Sequence, residues 1–495
     1  MRMRFTAVVL LLLCVAAMIR LPFLDQRPFH HDEANQAYRF GLLLEQGDYQ
    51  YDAQDHHGPT LYYLTWPLAM AAGVESFAET SIFFYRLVPV LAGCVLILLV
   101  GLLRTALGKS GVLCAMMLLA VAPAFVFYSR YYIQEILLIL FTVFVLGAGW
   151  LSCSRRSTMW AAVCGVGMGC MLATKETAVL TLAAFSFSAG ILLVLDRFRF
   201  PFLRLFLWGV GGALFTTIIW YTNAFTNWDG LVSLVEAVGV YAARGVGEGT
   251  VHVHPWNYYV KMLTVYRYES GPWFGEGLLF GLGVWGCFLS FRRRAPVGMH
   301  LLFLRFLSLS AFFLTLIYSL LPYKTPWCIL SMLLLWVLLA SVGLMGLLET
   351  KMKPRWMRWV LTLCVLAVLS WQSVRVAFLY AADVVNPYVY AQTSEQFTAL
   401  TDQLDRIREA SEQELYIQVI VPPDRVWPLP FYLRKDPLVG YWPAVTDVPE
   451  EPIPDVIITV PEWSVDRVGF RSSFYELRPD CLLVMQQRDG SGLFD

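Results

Sequence analysis

Apolar runs of roughly bilayer-spanning length recur through the first 380 residues of this 495-residue chain, and they constrain its fold more than any other feature. Crossing a hydrocarbon core takes about 17–25 mostly apolar residues. Runs near that length fall at 5–21, 87–103, 111–128, 136–151, 159–174, 177–195, 205–221, 273–290, 303–321, 327–348 and 358–377, about eleven in all. Inside a bilayer each span must satisfy its own backbone hydrogen bonds, so the runs are expected to be helices. Composition agrees: 58% of residues are hydrophobic and 15% charged, against about 45–50% and about 25% in soluble domains. The first run follows a basic Met1-Arg2-Met3-Arg4 start. Ile19-Arg20-Leu21-Pro22 offers no small-residue cleavage site, so the run reads as an anchor rather than a removed signal.

With the N-terminus inside, the short basic loops all fall on the cytoplasmic side: Arg104/Lys109, Arg155/Arg156, Arg197/Arg199/Arg204, Arg292–Arg294 and Lys351–Arg358. An odd number of spans then puts the tail outside an inner (plasma) membrane, together with the long loops 22–86 and 222–272. The chain divides into a transmembrane part, 1–380, and a tail, 381–495. The tail carries 9 Lys+Arg against 19 Asp+Glu, a charge of −10; with 37 of each sign overall, the remainder holds +10. No water-soluble part is basic, which argues against nucleic acid. Helical periodicity at 394–410 and short apolar strands at Leu415–Val421, Val456–Val460 and Cys481–Met485 predict a small α/β domain, loop-rich where ten of the 25 prolines cluster between Pro422 and Pro461. It shows no catalytic motif and is expected to act as a lid or docking domain. The ten cysteines form no paired spacing.

The chemistry-bearing residues lie in the outer loops. His30-His31-Asp32-Glu33 opens a predicted helix with Ala37, Phe40, Leu43 and Leu44 on one face, suited to lying in the membrane interface; Asp32 can equally serve as its cap. The loop continues to Asp55-His56-His57-Gly58-Pro59, so four of the seven histidines sit in two pairs near carboxylates. His31, His56 and His57 can therefore supply ligands to a divalent metal, which this spacing leaves open. Glu135 sits at the start of a span, where a carboxylate is expensive unless paired or functional, and Arg130 is its nearest partner in sequence. Thr174-Lys175-Glu176-Thr177 places a charge pair between two apolar runs, and Lys324 stands between two prolines. Lys175, Lys324, Arg86 and Arg130 face outward at the membrane surface, as interfacial anchors or as cations for a lipid phosphate. The loop 222–272 adds Glu236, Arg244, Glu248, His252, His254, Arg267 and Glu269 among glycines and aromatics, and reads as a segment over the site.

Asp32-Glu33 after the first span, Gly58-Pro59-Thr60-Leu61-Tyr62-Tyr63-Leu64, Phe84-Tyr85-Arg86-Leu87, Ser129-Arg130 with Glu135, and Thr174-Lys175-Glu176 together resemble the GT-C superfamily of membrane glycosyltransferases. Their order is similar to that in protein mannosyltransferases and aminoarabinose transferases, and most of all in the flippase-activity-associated branch, over about the first 330 residues. The resemblance implies a mainly α, polytopic GT-C fold and inverting transfer from a polyprenyl-phosphate-linked sugar to a glycan, lipid or protein acceptor. Asp32, with Glu33 beside it, takes the place of the catalytic base, and Glu135 that of a second-loop acid, where relatives more often carry Asp. Lys175 takes the place of the lysine at the donor phosphate, with Arg86 and Arg130 as further phosphate contacts. No cofactor is required by it. The alternative is a non-catalytic accessory to lipid-linked glycan flipping or assembly. A transporter is disfavoured, since charges cluster at one face and no internal repeat appears.

Overall fold

The computed structural model describes residues 2–47, 49–52, 54, 56–195, 202–247, 252–292, 295–350, 354, 356–411, 413–449, 451–479 and 481–489. The apolar runs are helical. In chain order the helices of the first part are α1 (Arg2–Arg20), α2 (His31–Gln46), α3 (Thr60–Ala72), α4 (Ile82–Leu99), α5 (Arg104–Val121), α6 (Pro123–Tyr128), α7 (Glu135–Arg155), α8 (Thr158–Leu172) and α9 (Ala178–Leu195). They continue with α10 (Phe202–Tyr221), α11 (Asp229–Gly245), α12 (Tyr258–Thr264), α13 (Gly277–Ser290), α14 (Leu301–Leu320), α15 (Ile329–Glu349) and α16 (Trp356–Val374).

Among the described residues, seven apolar helical stretches are long enough to cross a membrane by length and composition. One of them, Ile82–Val121, is 40 residues long. It is not one rod, because Gly108 breaks it with φ +69°. Arg20 locates the reversal. Its guanidinium donates to the carbonyls of Ala120 (2.8 Å) and Leu119 (3.0 Å), while a Cβ at Gly93 would lie 3.4 Å from its Nε. In a continuous helix Gly93 and Ala120 would stand about 40 Å apart. α4 and α5 therefore form a hairpin, matching the two runs expected there. Three shorter apolar helices, Phe5–Arg20, α8 and α13, complete the set of expected runs. With 15 and 14 residues, α8 and α13 are about 21–23 Å long, less than the ~30 Å hydrocarbon thickness, which is why length alone does not count them. Both pack through glycines: a Cβ at Gly165 would meet the carbonyl of Gly209 on α10, and one at Gly286 that of Leu339 on α15. Such close backbone approach is a common way for helices to associate in lipid.

The bundle has two distinct ends. At one, Ala106 accepts from the His300 N–H, Trp150 donates to Thr105 and Glu349 accepts from the Val297 N–H, among the loops that hold Arg104, Arg155 and Arg292. α2, α3, α11, α12 and the turn before α15 gather at the other.

The chain after α16 returns to that second end as a strap. Tyr128 donates to the Tyr388 carbonyl, Tyr131 to the Gln392 side chain, Gln392 to the Pro28 carbonyl, and Thr393 to the Phe29 carbonyl. Beyond the strap, α17 (Phe397–Ala410) covers a five-stranded sheet of β1 (Ile417–Ile420), β2 (Val439–Trp442), β3 (Val456–Thr459), β4 (Phe470–Arg478) and β5 (Cys481–Arg488). The strand order is β2-β1-β3-β5-β4; β1 runs parallel to β2 and β3, and β5 antiparallel to β3 and β4. Phe397, Leu400, Leu404 and Ile407 of α17 bury against Ile417, Val419, Val456 and Ile458. The expected strands are β1, β3 and β5. β2 and β4 were not expected, because both are edge strands whose residues stay largely open and so lack an apolar run. A short turn, α18 (Leu429–Tyr432), docks this domain on the bundle: Phe431 lies 4.4 Å from Phe29, and the Phe29 N–H donates to the Tyr432 hydroxyl.

Candidate active site

The site is organised by the first turn of α2. His30, not Asp32, is the N-cap: its Nδ1 accepts from the Asp32 N–H at 3.0 Å, leaving Nε2 to donate to the Tyr390 carbonyl at 2.8 Å. Glu33 closes the capping box by accepting from the His30 N–H. The capping reading weighed for Asp32 thus belongs to its two neighbours. Glu33 is fully buried. It takes a two-pronged contact from Arg86 (Nε–Oε1 2.8 Å, Nη2–Oε2 2.6 Å), a third from Arg27 at 3.4 Å, and the Tyr132 N–H at 2.9 Å. Burial alone would raise its pKa. The charges of Arg86 and Arg27 outweigh that and hold it at about 2.

This geometry leaves neither Glu33 nor Arg86 an open face. Glu33, expected beside the catalytic base, is fully buried and its oxygens are taken up by Arg86, Arg27 and two backbone N–H groups. Arg86 is equally committed: its remaining N–H groups go to the carbonyls of Leu24, Arg27 and Pro28, so it has no donor left for a phosphate. Arg130 likewise braces the turn after α1 through the carbonyls of Arg20, Pro22 and Phe23. Lys324 donates to the carbonyls of His254 and Leu321 in its own tight turn. Sequence alone cannot separate a cation that ties backbone together from one left open, since both stand at membrane edges.

Asp32 is different. It is half-buried and forms no ion pair among the described residues. Burial pushes its pKa up, but His30, His31, His57 and Lys175 together hold it below the usual carboxylate range. Lys175, which follows α8, is buried and paired with Glu135 at the start of α7. Glu135 therefore meets Lys175, not Arg130. Burial would lower the Lys175 pKa, yet the Glu135 carboxylate overrides it and keeps the ammonium charged.

Glu176, passed over in the sequence as the partner of Lys175, instead joins the first loop. The Tyr51 hydroxyl donates to it at 2.6 Å and His57 Nδ1 lies 2.7 Å away, with the Tyr241 hydroxyl of α11 at 3.0 Å from the same nitrogen. Its only sequence signal was a polar tetrad wedged between two apolar runs. A cavity of about 660 Å³ adjoins Tyr51, lined also by Gln50, Asn227, Trp228 and Asp229. The three histidines weighed as metal ligands do not converge. His57 is bound to Glu176, His56 is walled in by Tyr49, Tyr51 and Tyr62, and no group of three or more His, Cys, Asp or Glu among the described residues has metal-binding geometry.

One further acid lies outside this cluster. Glu276, just before α13, is fully buried; its Oε1 accepts from the Ala124 N–H at 2.8 Å and the Tyr388 hydroxyl at 2.7 Å, and its Oε2 has no partner among the described residues.

The helix arrangement is the GT-C fold of the membrane glycosyltransferases, mainly α with a small C-terminal sheet domain. A family model described as dolichyl-phosphate-mannose-protein mannosyltransferase matches residues 47–227, which include His57, Glu135, Lys175 and Glu176 but not Asp32. The fold is similar to that of ArnT from Cupriavidus metallidurans bound to undecaprenyl phosphate, with TM-score 0.70 and 15% identity over 99% of this chain and 100% of that one. It is also similar to the archaeal oligosaccharyltransferase AglB from Archaeoglobus fulgidus in complex with an inhibitory peptide and a dolichol-phosphate, with TM-score 0.52 and 14% identity over 92% and 69%. No curated protein matches the chain by sequence.

Proposed function

We propose that the protein transfers a sugar from a polyprenyl-phosphate-linked donor to an acceptor at the extracytoplasmic face, with inversion at the anomeric carbon. The observation that carries this reading is the contrast at the loop end of a GT-C fold: a half-buried Asp32 within electrostatic reach of a buried, charged Lys175. An acceptor hydroxyl attacks the anomeric carbon, the bond from that carbon to the phosphate oxygen breaks, and polyprenyl phosphate departs. Asp32 takes the hydroxyl proton as attack makes it acidic. An ammonium has three donors, and Glu135 engages Lys175 through one carboxylate oxygen, so the others can meet charge building on the leaving phosphate. Glu135 keeps Lys175 ionised in a buried setting, which is a role distinct from holding the acceptor. Because the basic loops lie at the other end of the bundle, the positive-inside rule puts this end outside the cell.

The test is release of radiolabelled sugar from polyprenyl-phosphate hexoses by the purified protein. Lys175→Met combined with Glu135→Gln removes both charges, leaving neither buried alone. This double variant is expected to keep its thermal midpoint within a few degrees and to lose transfer by at least about 10²-fold, the scale of one lost electrostatic contact to a leaving group. Transfer within tenfold of wild type would remove Lys175 from the mechanism.

A further inference from the structure

We propose that the strap after α16 completes the acceptor side of this site, with Tyr390, Trp327, Tyr323 and His252 forming a wall that binds a carbohydrate acceptor. The inference rests on the glycosyltransferase reading. Its starting point is a relay of contacts from Asp32: the Asp32 N–H donates to His30 Nδ1, His30 Nε2 meets the Tyr390 carbonyl, and the Tyr390 hydroxyl bonds His252 Nδ1. Rings close around the relay. Trp327 lies 6.1 Å from His30 and 5.9 Å from Tyr390, each at 80°, and His252 lies 5.4 Å from Tyr390 and 5.5 Å from Tyr323. All four wall residues are half-buried, as Asp32 is, and Tyr390, Tyr323 and His252 each lie close enough to Asp32 to feel its charge.

Rings alternating with a phenol, an imidazole and a carboxylate suit a sugar, which presents flat C–H faces and a polar rim. Each aromatic side chain offers an apolar body, and those of Tyr and His add a polar tip. An extended peptide recognised by strand addition needs something else, a row of unpaired backbone groups to pair with. The strap does not provide one, since the carbonyls of Tyr388 and Tyr390 already accept from Tyr128 and His30. Tyr390 acts as a positioning residue, orienting the sugar hydroxyl toward Asp32.

Two measurements on the purified full-length protein test this. In ligand-observed saturation-transfer NMR with methyl glycosides, the wild type is expected to give signal from at least one. Tyr390→Phe and Trp327→Ala are expected to weaken it, and Trp356→Ala, exposed at the opposite end of the bundle, to leave it intact. In the transfer assay with a saccharide acceptor, Tyr390→Phe keeps the ring and loses one hydroxyl contact. The acceptor KM is expected to rise about tenfold, with kcat and donor KM changed less than about twofold. Saccharide binding that depends on the wall in a protein without turnover supports the wall and defeats the glycosyltransferase reading. Turnover with an acceptor KM untouched by Tyr390→Phe, or with only a peptide as acceptor, overturns the wall and leaves that reading standing. No glycoside signal from the wild type overturns the wall as well.

Discussion

Asp32→Asn is expected to lower sugar transfer by roughly 10²–10⁴-fold, the range a positioned general base contributes, with no loss of thermal stability. Asparagine has the same shape and keeps the backbone N–H that bonds His30. Because Asp32 enters no ion pair among the described residues, its replacement leaves no buried cation without a partner. What disappears is a half-buried carboxylate close enough to Lys175 to feel its charge. Its depressed pKa keeps it ionised across the neutral range, so the wild-type rate should show no loss from Asp32 protonation until the pH falls below the usual carboxylate region. Initial rates under donor saturation, beside a thermal melt in the same detergent, decide the matter. A variant that melts normally and transfers within tenfold of wild type would take the base role from Asp32.

One residue along the chain, the opposite result is expected. Glu33→Ala removes the partner of Arg86 and Arg27, both nearly inaccessible to water, and strands the N–H groups of His30 and Tyr132. Breaking a buried pair in this way typically costs about 3–5 kcal/mol. The pKa of Glu33 points the same way: held at about 2 against 4.5 when unfolded, it contributes on the order of 3 kcal/mol above pH 4.5, lost as pH falls toward 2. The variant should accumulate poorly and melt early, with transfer per folded molecule falling less than stability does. Normal melting with abolished transfer would instead return Glu33 to the reacting centre.

That contrast shows what sequence could and could not reveal. Hydropathy found the apolar helices, including the two on either side of Gly108, because bilayer thickness imposes a length and a composition. The α2 periodicity was equally plain, and its predicted face is buried at Ala37, Phe40 and Leu43. Motif order drew attention to Asp32, Glu135 and Lys175. It failed where partners are distant in the chain. Glu176 and His57 are 119 residues apart, and Tyr390 and His30 are 360 apart. Neither pairing leaves a local pattern. Nor can a sequence distinguish Arg86 and Arg130, spent on carbonyls, from cations that wait for a phosphate. The strap lay just past the last apolar run, in a stretch with no periodicity to draw attention to it.

The reach of Arg20 also sets an order of events during synthesis. Its acceptors Ala120 and Leu119 are about 100 residues further along, while the contact available within α1 itself is the Ala16 carbonyl at 3.3 Å. At about 5–20 residues per second, the ribosome needs on the order of 5–20 s to make them. Until then α1 holds a cation at the membrane edge, where a long side chain can extend toward water. α1 is thereby fixed in place only once the chain through α5 has been made, and its fixing depends on the α4–α5 hairpin having already turned.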